Sequence, residues 1–146
     1  MIALIQRVSR ASVEVRGQPV GAIGKGVLAL IGVESGDSDA SPSRMLEKLL
    51  SYRIFPDDAG RMNLDVRQIG GGLLLVPQFT LVADTSRGTR PSFSSGASPE
   101  VARRLFEELL AAASAVHTPT AGGVFGADMQ VELVNDGPVT FLLKST

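Results

Sequence analysis

The chain contains no cysteine. That absence excludes disulfides, thiol nucleophiles and cysteine-built zinc sites, and it fits a reducing compartment. Histidine is nearly absent too: His117 stands alone. A zinc site of several histidines is therefore impossible, and a Ser-His-Asp triad has a single imidazole to draw on. His117 falls in a polar connector after the second expected helix, where a solvated loop residue is expected. The Gly-x-Ser-x-Gly elbow and the phosphate-cradling Gly-x-x-x-x-Gly-Lys-Ser/Thr loop are both missing. Glu100/Arg104 and Arg103/Glu107 stand at i, i+4 spacing, which reads as a solvated helix face. No metal and no cofactor are expected.

Charge of one sign is also scarce. The net charge is −1, whereas a protein gripping long stretches of phosphate backbone shows a basic balance. This argues against duplex DNA as a partner and says less about a protein that touches only the end of an RNA. No apolar run approaches the roughly 18 residues that cross a bilayer. The start alternates and meets Arg7 early, unlike a secretory signal. A soluble, cytosolic protein is the expectation, with no membrane partner.

What is present fits one domain over residues 1–146. A chain of 146 residues buries roughly 70% of the surface its unfolded form exposes. The hydrophobic fraction of 44% supplies a core. Ile2 to Val8 and Ala11 to Arg16 alternate as two half-buried strands. A turn at Gly17-Gln18-Pro19 leads to a short strand near Val20–Ile23. Gly26 to Val33 and Leu73 to Val76 are continuous apolar runs, suited to strands covered on both faces. Ser41-Pro42 and Ser98-Pro99-Glu100 mark helix starts. The first helix buries Met45, Leu46, Leu49 and Leu50, and the second Val101, Leu105, Phe106 and Leu109. Between them, Asp84 to Ser98 turns polar and is the best candidate for an exposed working loop. Met129–Leu133 and Val139–Leu143 alternate around Asn135-Asp136-Gly137-Pro138, whose Asp-Gly pair also fits an ordinary hairpin turn. The expected class is α+β, with mostly antiparallel strands and two helices.

Two segments carry more specific information, Gln78-Phe79-Thr80-Leu81 and Asn135-Asp136-Gly137-Pro138-Val139-Thr140. With Ala3–Val8, Tyr52–Phe55, Met62-Asn63, Arg90–Phe93 and Ala127–Val131 in order, the whole chain resembles the D-aminoacyl-tRNA deacylase family. The resemblance implies a barrel-like β core, a homodimer, and hydrolysis of the ester joining a D-amino acid to the 3′ end of tRNA. Glycyl-tRNA mischarged on tRNA-Ala is a further implied substrate. One position departs: the family's first motif begins with serine, and here it is Pro77, which has neither a hydroxyl nor an N–H. Chemistry run by backbone N–H groups at Phe79 and Thr80 is compatible with proline there, and a serine nucleophile is not. Thr80 as nucleophile is the rival assignment.

By the same resemblance, Gly137-Pro138 holds a cis peptide and enters the partner subunit's pocket. There it crowds an L side chain while a D side chain points to solvent. Arg7, Asn135 and Thr140 support the motif. Phe125 and Met129 either line an adenine pocket or pack in the core, and Arg87 and Arg90 either meet tRNA phosphates or are solvated. Two alternatives remain open: a related deacylase of relaxed chirality that clears L-alanyl-tRNA, and an inactive tRNA-binding dimer.

Overall fold

The alternation from Ile2 onward builds a single strand, β1 (Ile2–Val15), where two were expected. In this computed structural model, which describes residues 1–146, β1 is the spine on which three other strands pair. The polar pair Ser9-Arg10 does not end it, because β1 changes partners there. Arg16 and Gly17, both at positive φ (52° and 75°), form the tight turn into β2 (Gln18–Ile23). Positive φ at both central residues matches the right-handed twist of a two-stranded ribbon. The turn therefore lies one residue earlier than expected, and Pro19 is accommodated within β2.

The C-terminal half of β1 pairs with β2, and its N-terminal half with β3 (Gly26–Gly32). β6 (Gly72–Pro77) lies parallel to β3, and β7 (Thr120–Gly122) parallel to β6. These two pairs are parallel because each connection crosses over through a helix. Helix α1 (Ser41–Ser51) and the small hairpin β4 (Phe55–Pro56) and β5 (Met62–Leu64) separate β3 from β6. Helix α2 (Pro99–Val116) separates β6 from β7. The sheet then curls back on itself. A Cβ placed on Gly21 of β2 would lie 3.1 Å from the Gly122 oxygen of β7, so glycine is what allows the barrel nearly to close.

Both faces of β3 and β6 are buried. Leu28, Leu74 and Val76 join Val8, Val13 and Ile23 inside the barrel. Val27, Ala29, Ile31, Leu73 and Leu75 belong instead to the larger core, with Met45 and Leu49 of α1 and Leu105, Phe106 and Leu109 of α2. Complete burial of each such leucine contributes about 2 kcal/mol relative to exposure. In α2 the buried position is Ala102, while Val101 is only partly covered.

Ser98 caps α2 as expected, accepting a hydrogen bond from the Val101 N–H at 3.3 Å. Ser41 does not cap α1. Ala40 holds that position without a side-chain bond, and the Ser41 hydroxyl donates to Asp37 at 2.8 Å.

The last strand, β8 (Met129–Lys144), is continuous and runs antiparallel along β1 from Val15 back to Ile2. Ile2 pairs with Gly32 of β3 and Lys144 of β8, which places those strands on opposite edges of β1. The other edge of β8 has no partner within the chain. No helix is long and apolar enough to cross a membrane.

Candidate active site

β6 delivers its last residue, Pro77, to the rim of the barrel. The Gln78 N–H then donates to the Ile31 oxygen at 2.8 Å, holding the chain on β3 for one more residue. Phe79–Val82 follows as a single 3-10 turn. Here Leu81 donates to Gln78 O and Ala83 to Thr80 O, both at 3.2 Å. The N–H groups of Phe79 and Thr80 come first in the turn, where no intrahelical acceptor exists. Two adjacent uncommitted donors suit a developing oxyanion. Proline at 77 costs little, because β6 stops pairing with β7 at Leu75 and Gly122.

Thr80 Oγ1 accepts a hydrogen bond from the Gln78 side chain. No carboxylate or imidazole reaches that hydroxyl, so nothing in the chain is placed to deprotonate it. His117 is elsewhere. It is buried, with 8% of its surface exposed, and its Nε2 lies 2.7 Å from the Gly71 oxygen. A carbonyl only accepts, so Nε2 carries the proton. The expectation of a solvated loop residue was wrong: the ring supplies a donor to a carbonyl that the glycine-rich turn before β6 would leave buried and unpaired. Gly71 and Gln78 flank β6 at opposite ends, roughly 20 Å apart at 3.3 Å per residue. A triad through His117 is excluded by that distance.

Beside the 3-10 turn opens a cleft of about 260 Å³, lined among others by Pro77, Gln78, Phe79, Phe125, Met129 and Val131. Phe79 is 62% exposed, and its ring packs on Phe93 with centroids 5.3 Å apart. Phe93 is the only aromatic residue in the polar Asp84–Ser98 loop. Backbone bonds of 2.7 and 2.9 Å between Asp84 and Ser92 close the base of that loop. Hydrogen bonds from Ser86, side chain first and backbone second, hold the Asp84 carboxyl below its ordinary range. Arg87 and Arg90 are exposed on the segment between them.

The segment Asn135–Thr140 is not a hairpin turn. Gln6 faces Thr140 and Val8 faces Asn135, so Asp136 to Val139 stand opposite Arg7 alone and bulge out of β8. Both flanks remain paired with the same strand. Side chains tie the bulge closed: Val139 N–H donates to Asn135 Oδ1, and Asn135 Nδ2 to Thr140 Oγ1, both at 3.0 Å. Gln6 donates to the same hydroxyl at 3.3 Å. Arg7 spans from the Asp136 oxygen (2.9 Å) to the Ile54 oxygen (2.8 Å), with the Asp136 carboxylate 3.6 Å away. The Gly137–Pro138 peptide is cis. Gly137 has φ 147°, and a Cβ there would fall 2.8 Å from the Val139 nitrogen.

The fold brings Gln78, Phe79, Phe125 and Met129 together around one cleft. It gathers Arg7, Asn135, Gly137, Pro138 and Thr140 around another feature. It does not join the two groups within one chain. Met129 opens β8 and Gly137 lies eight residues along it, roughly 26 Å of extended strand away. Arg103 pairs with Glu107 at 3.7 Å on an exposed helix face, as its i, i+4 spacing predicts. Its guanidinium carbon also sits 5.1 Å from the centre of the Phe125 ring.

Comparison with known proteins gives a consistent pattern. A D-aminoacyl-tRNA deacylase of Thioalkalivibrio sulfidiphilus is 61% identical over 144 residues, covering 99% of this chain and 97% of the relative. A solved structure named c-Myc DNA unwinding element binding protein superposes with a TM-score of 0.93 at 36% identity, covering 100% and 99% of the two chains. Another, described as "a probable eukaryotic D-amino acid tRNA deacylase", shares the fold with a TM-score of 0.83 at 17% identity and 97% coverage of each chain. The family model described as D-Tyr-tRNA(Tyr) deacylase matches residues 4–144, and the chain belongs to that family.

Proposed function

We propose that this protein is a D-aminoacyl-tRNA deacylase, an ester hydrolase that releases the D-amino acid from the 3′ end of tRNA. The observation that carries the reading is the pair of free N–H donors at Phe79 and Thr80, set beside a cleft in a chain of this family. The substrate is an ester, already activated relative to an amide, so positioning and oxyanion stabilisation supply the needed acceleration. Water attacks the ester carbon, and the developing oxyanion accepts hydrogen bonds from the two backbone donors. The bond to the ribose oxygen then breaks, and that oxygen takes a proton with the neighbouring 2′-hydroxyl as relay. Phe125 and Met129 line the place for the terminal adenine, and Arg87 and Arg90 meet backbone phosphates.

Discrimination works by exclusion. Gly137-Pro138 of a second copy closes one side of the cleft, where an L side chain would project, and a D side chain points out. Glycine has no side chain to exclude, so glycyl-tRNA mischarged on tRNA-Ala is also cleared. The separation of the two groups within one chain supports a site shared between copies. The unpaired edge of β8, with Val131, Val134, Phe141 and Leu142 exposed along that strand, supports the surface on which they meet.

The test is release of D-tyrosine from D-tyrosyl-tRNA against L-tyrosine from L-tyrosyl-tRNA. Rapid loss of the D ester alone is expected. No release above the spontaneous rate would sink the enzymatic reading, and equal rates would sink the filter. Light scattering should show a dimer, and a fully active monomer would contradict the shared site.

A further inference from the structure

Two consecutive arginines on α2 are used very differently. Arg104 donates through Nη1 to Asp39 at 2.9 Å and to Glu108 at 3.0 Å, and these hydrogen bonds, that to Asp39 first, raise its pKa above the ordinary arginine value. Both carboxylates hold it on their own side of the helix. Arg103 has only Glu107, at 3.7 Å, beyond hydrogen-bond distance. An exposed ion pair of that length is weak and easily exchanged. The guanidinium carbon lies 5.1 Å from the centre of the Phe125 ring, and its Nη2 would be 3.5 Å from a Cβ on Gly126. Phe125 and Gly126 both line the 260 Å³ cleft, and no charged side chain lines it.

From this geometry we infer that Arg103 is a specificity-determining residue that engages the phosphodiester joining the terminal nucleoside to the rest of the RNA. The inference rests on the proposed substrate. A nucleoside seated against Phe125 carries its 5′ phosphate out through the mouth of an uncharged cleft. Something outside the lining must neutralise it. The cation–π contact keeps the guanidinium at Phe125, and no short hydrogen bond occupies its N–H groups, which can bind a phosphate through two parallel hydrogen bonds. Arg104, one residue on, is tied to Asp39 and Glu108, which line a different pocket from this cleft.

The experiment compares D-tyrosyl-tRNA with 3′-O-D-tyrosyl-adenosine, which has no phosphate, for the wild type, Arg103→Gln, Arg103→Lys and Arg104→Gln. For Arg103→Gln on the tRNA substrate, KM should rise about five- to tenfold at unchanged kcat. The dependence of log kcat/KM on log salt should flatten by about 0.7, one phosphate of a single strand. Hydrolysis of the adenosine ester should stay within twofold. Arg103→Lys should keep the salt slope while losing part of the affinity, and Arg104→Gln should leave both substrates unchanged. Equal losses on both substrates with an unaltered salt slope would reduce Arg103 to a prop for Phe125 and overturn the proposal. So would an unchanged KM for the tRNA. Failure of the wild type on D-tyrosyl-tRNA would instead sink the substrate reading itself.

Discussion

The end of β6 and the middle of β8 handle their backbone in opposite ways. At the 3-10 turn the Phe79 and Thr80 donors are left uncommitted, and Phe79 is among the most exposed large apolar residues of the chain. At the β8 bulge Asn135, Thr140, Gln6 and Arg7 between them hold both the Asp136 carbonyl and the Val139 N–H. In the proposed mechanism, donors for a transient charge are best left free, and a segment that repels one enantiomer works only if it does not yield. The observed bonding fits both demands: one segment withholds hydrogen bonds and the other saturates them.

The comparison breaks most visibly at the donors. Phe79→Pro removes one N–H at the first position of a helical turn, where proline is tolerated. Relative to Phe79→Leu, which keeps the donor, kcat on D-tyrosyl-tRNA should fall about 100- to 1,000-fold. Equal rates for the two variants would remove Phe79 N–H from the mechanism. At the rigid segment, Gly137→Val places a Cβ against the Val139 backbone at a φ that L residues rarely adopt. A displacement of about 1 Å there should lower D-substrate turnover by about 100-fold, and single-turnover rates would report it. Wild-type rates in a folded dimer would argue against entry of this segment into the site.

Smaller effects sharpen the contrast. His117→Phe leaves the Gly71 carbonyl buried without a donor and should cost about 2 kcal/mol in a denaturant titration. Its kcat and pH profile should match the wild type, because His117 serves the fold and not the reaction. If the catalytic groups are backbone, as proposed, Pro77→Ser should change kcat by less than about threefold, because no base faces the new hydroxyl. A gain of orders of magnitude would restore the serine to the chemistry.

Much of the architecture was legible because it is periodic. The apolar runs of β3 and β6 announced strands covered on both faces, and Ser98-Pro99 announced α2 to the residue. β1 and β8 were each read as two strands because polar residues interrupt the alternation. What keeps each strand whole is pairing with the other, a contact across more than a hundred residues that local pattern does not carry. Asn-Asp-Gly-Pro has the residues of a tight turn, and whether the flanking strands pair with each other or with a third is decided elsewhere. His117 was misread for a related reason. It has polar neighbours in sequence, and its partner, Gly71, is supplied by the fold. Both candidate motifs were visible in the sequence, and that they would act from different subunits came only from the family resemblance.

That separation turns β8 into a ruler. One end of the strand, at Met129, borders the cleft, and a fixed number of residues later the same strand carries Gly137. In the proposed symmetric pair of copies, the spacing from cleft to proposed filter is set by strand length and not by any loop. Deleting one residue between Val131 and Val134 would shorten the ruler by about 3.3 Å and turn every intervening side chain to the opposite face. Both halves of the site would remain intact and simply miss each other. Substitutions can tune such a site, but length changes in β8 cannot, and this strand should tolerate insertion far less well than the Asp84–Ser98 loop.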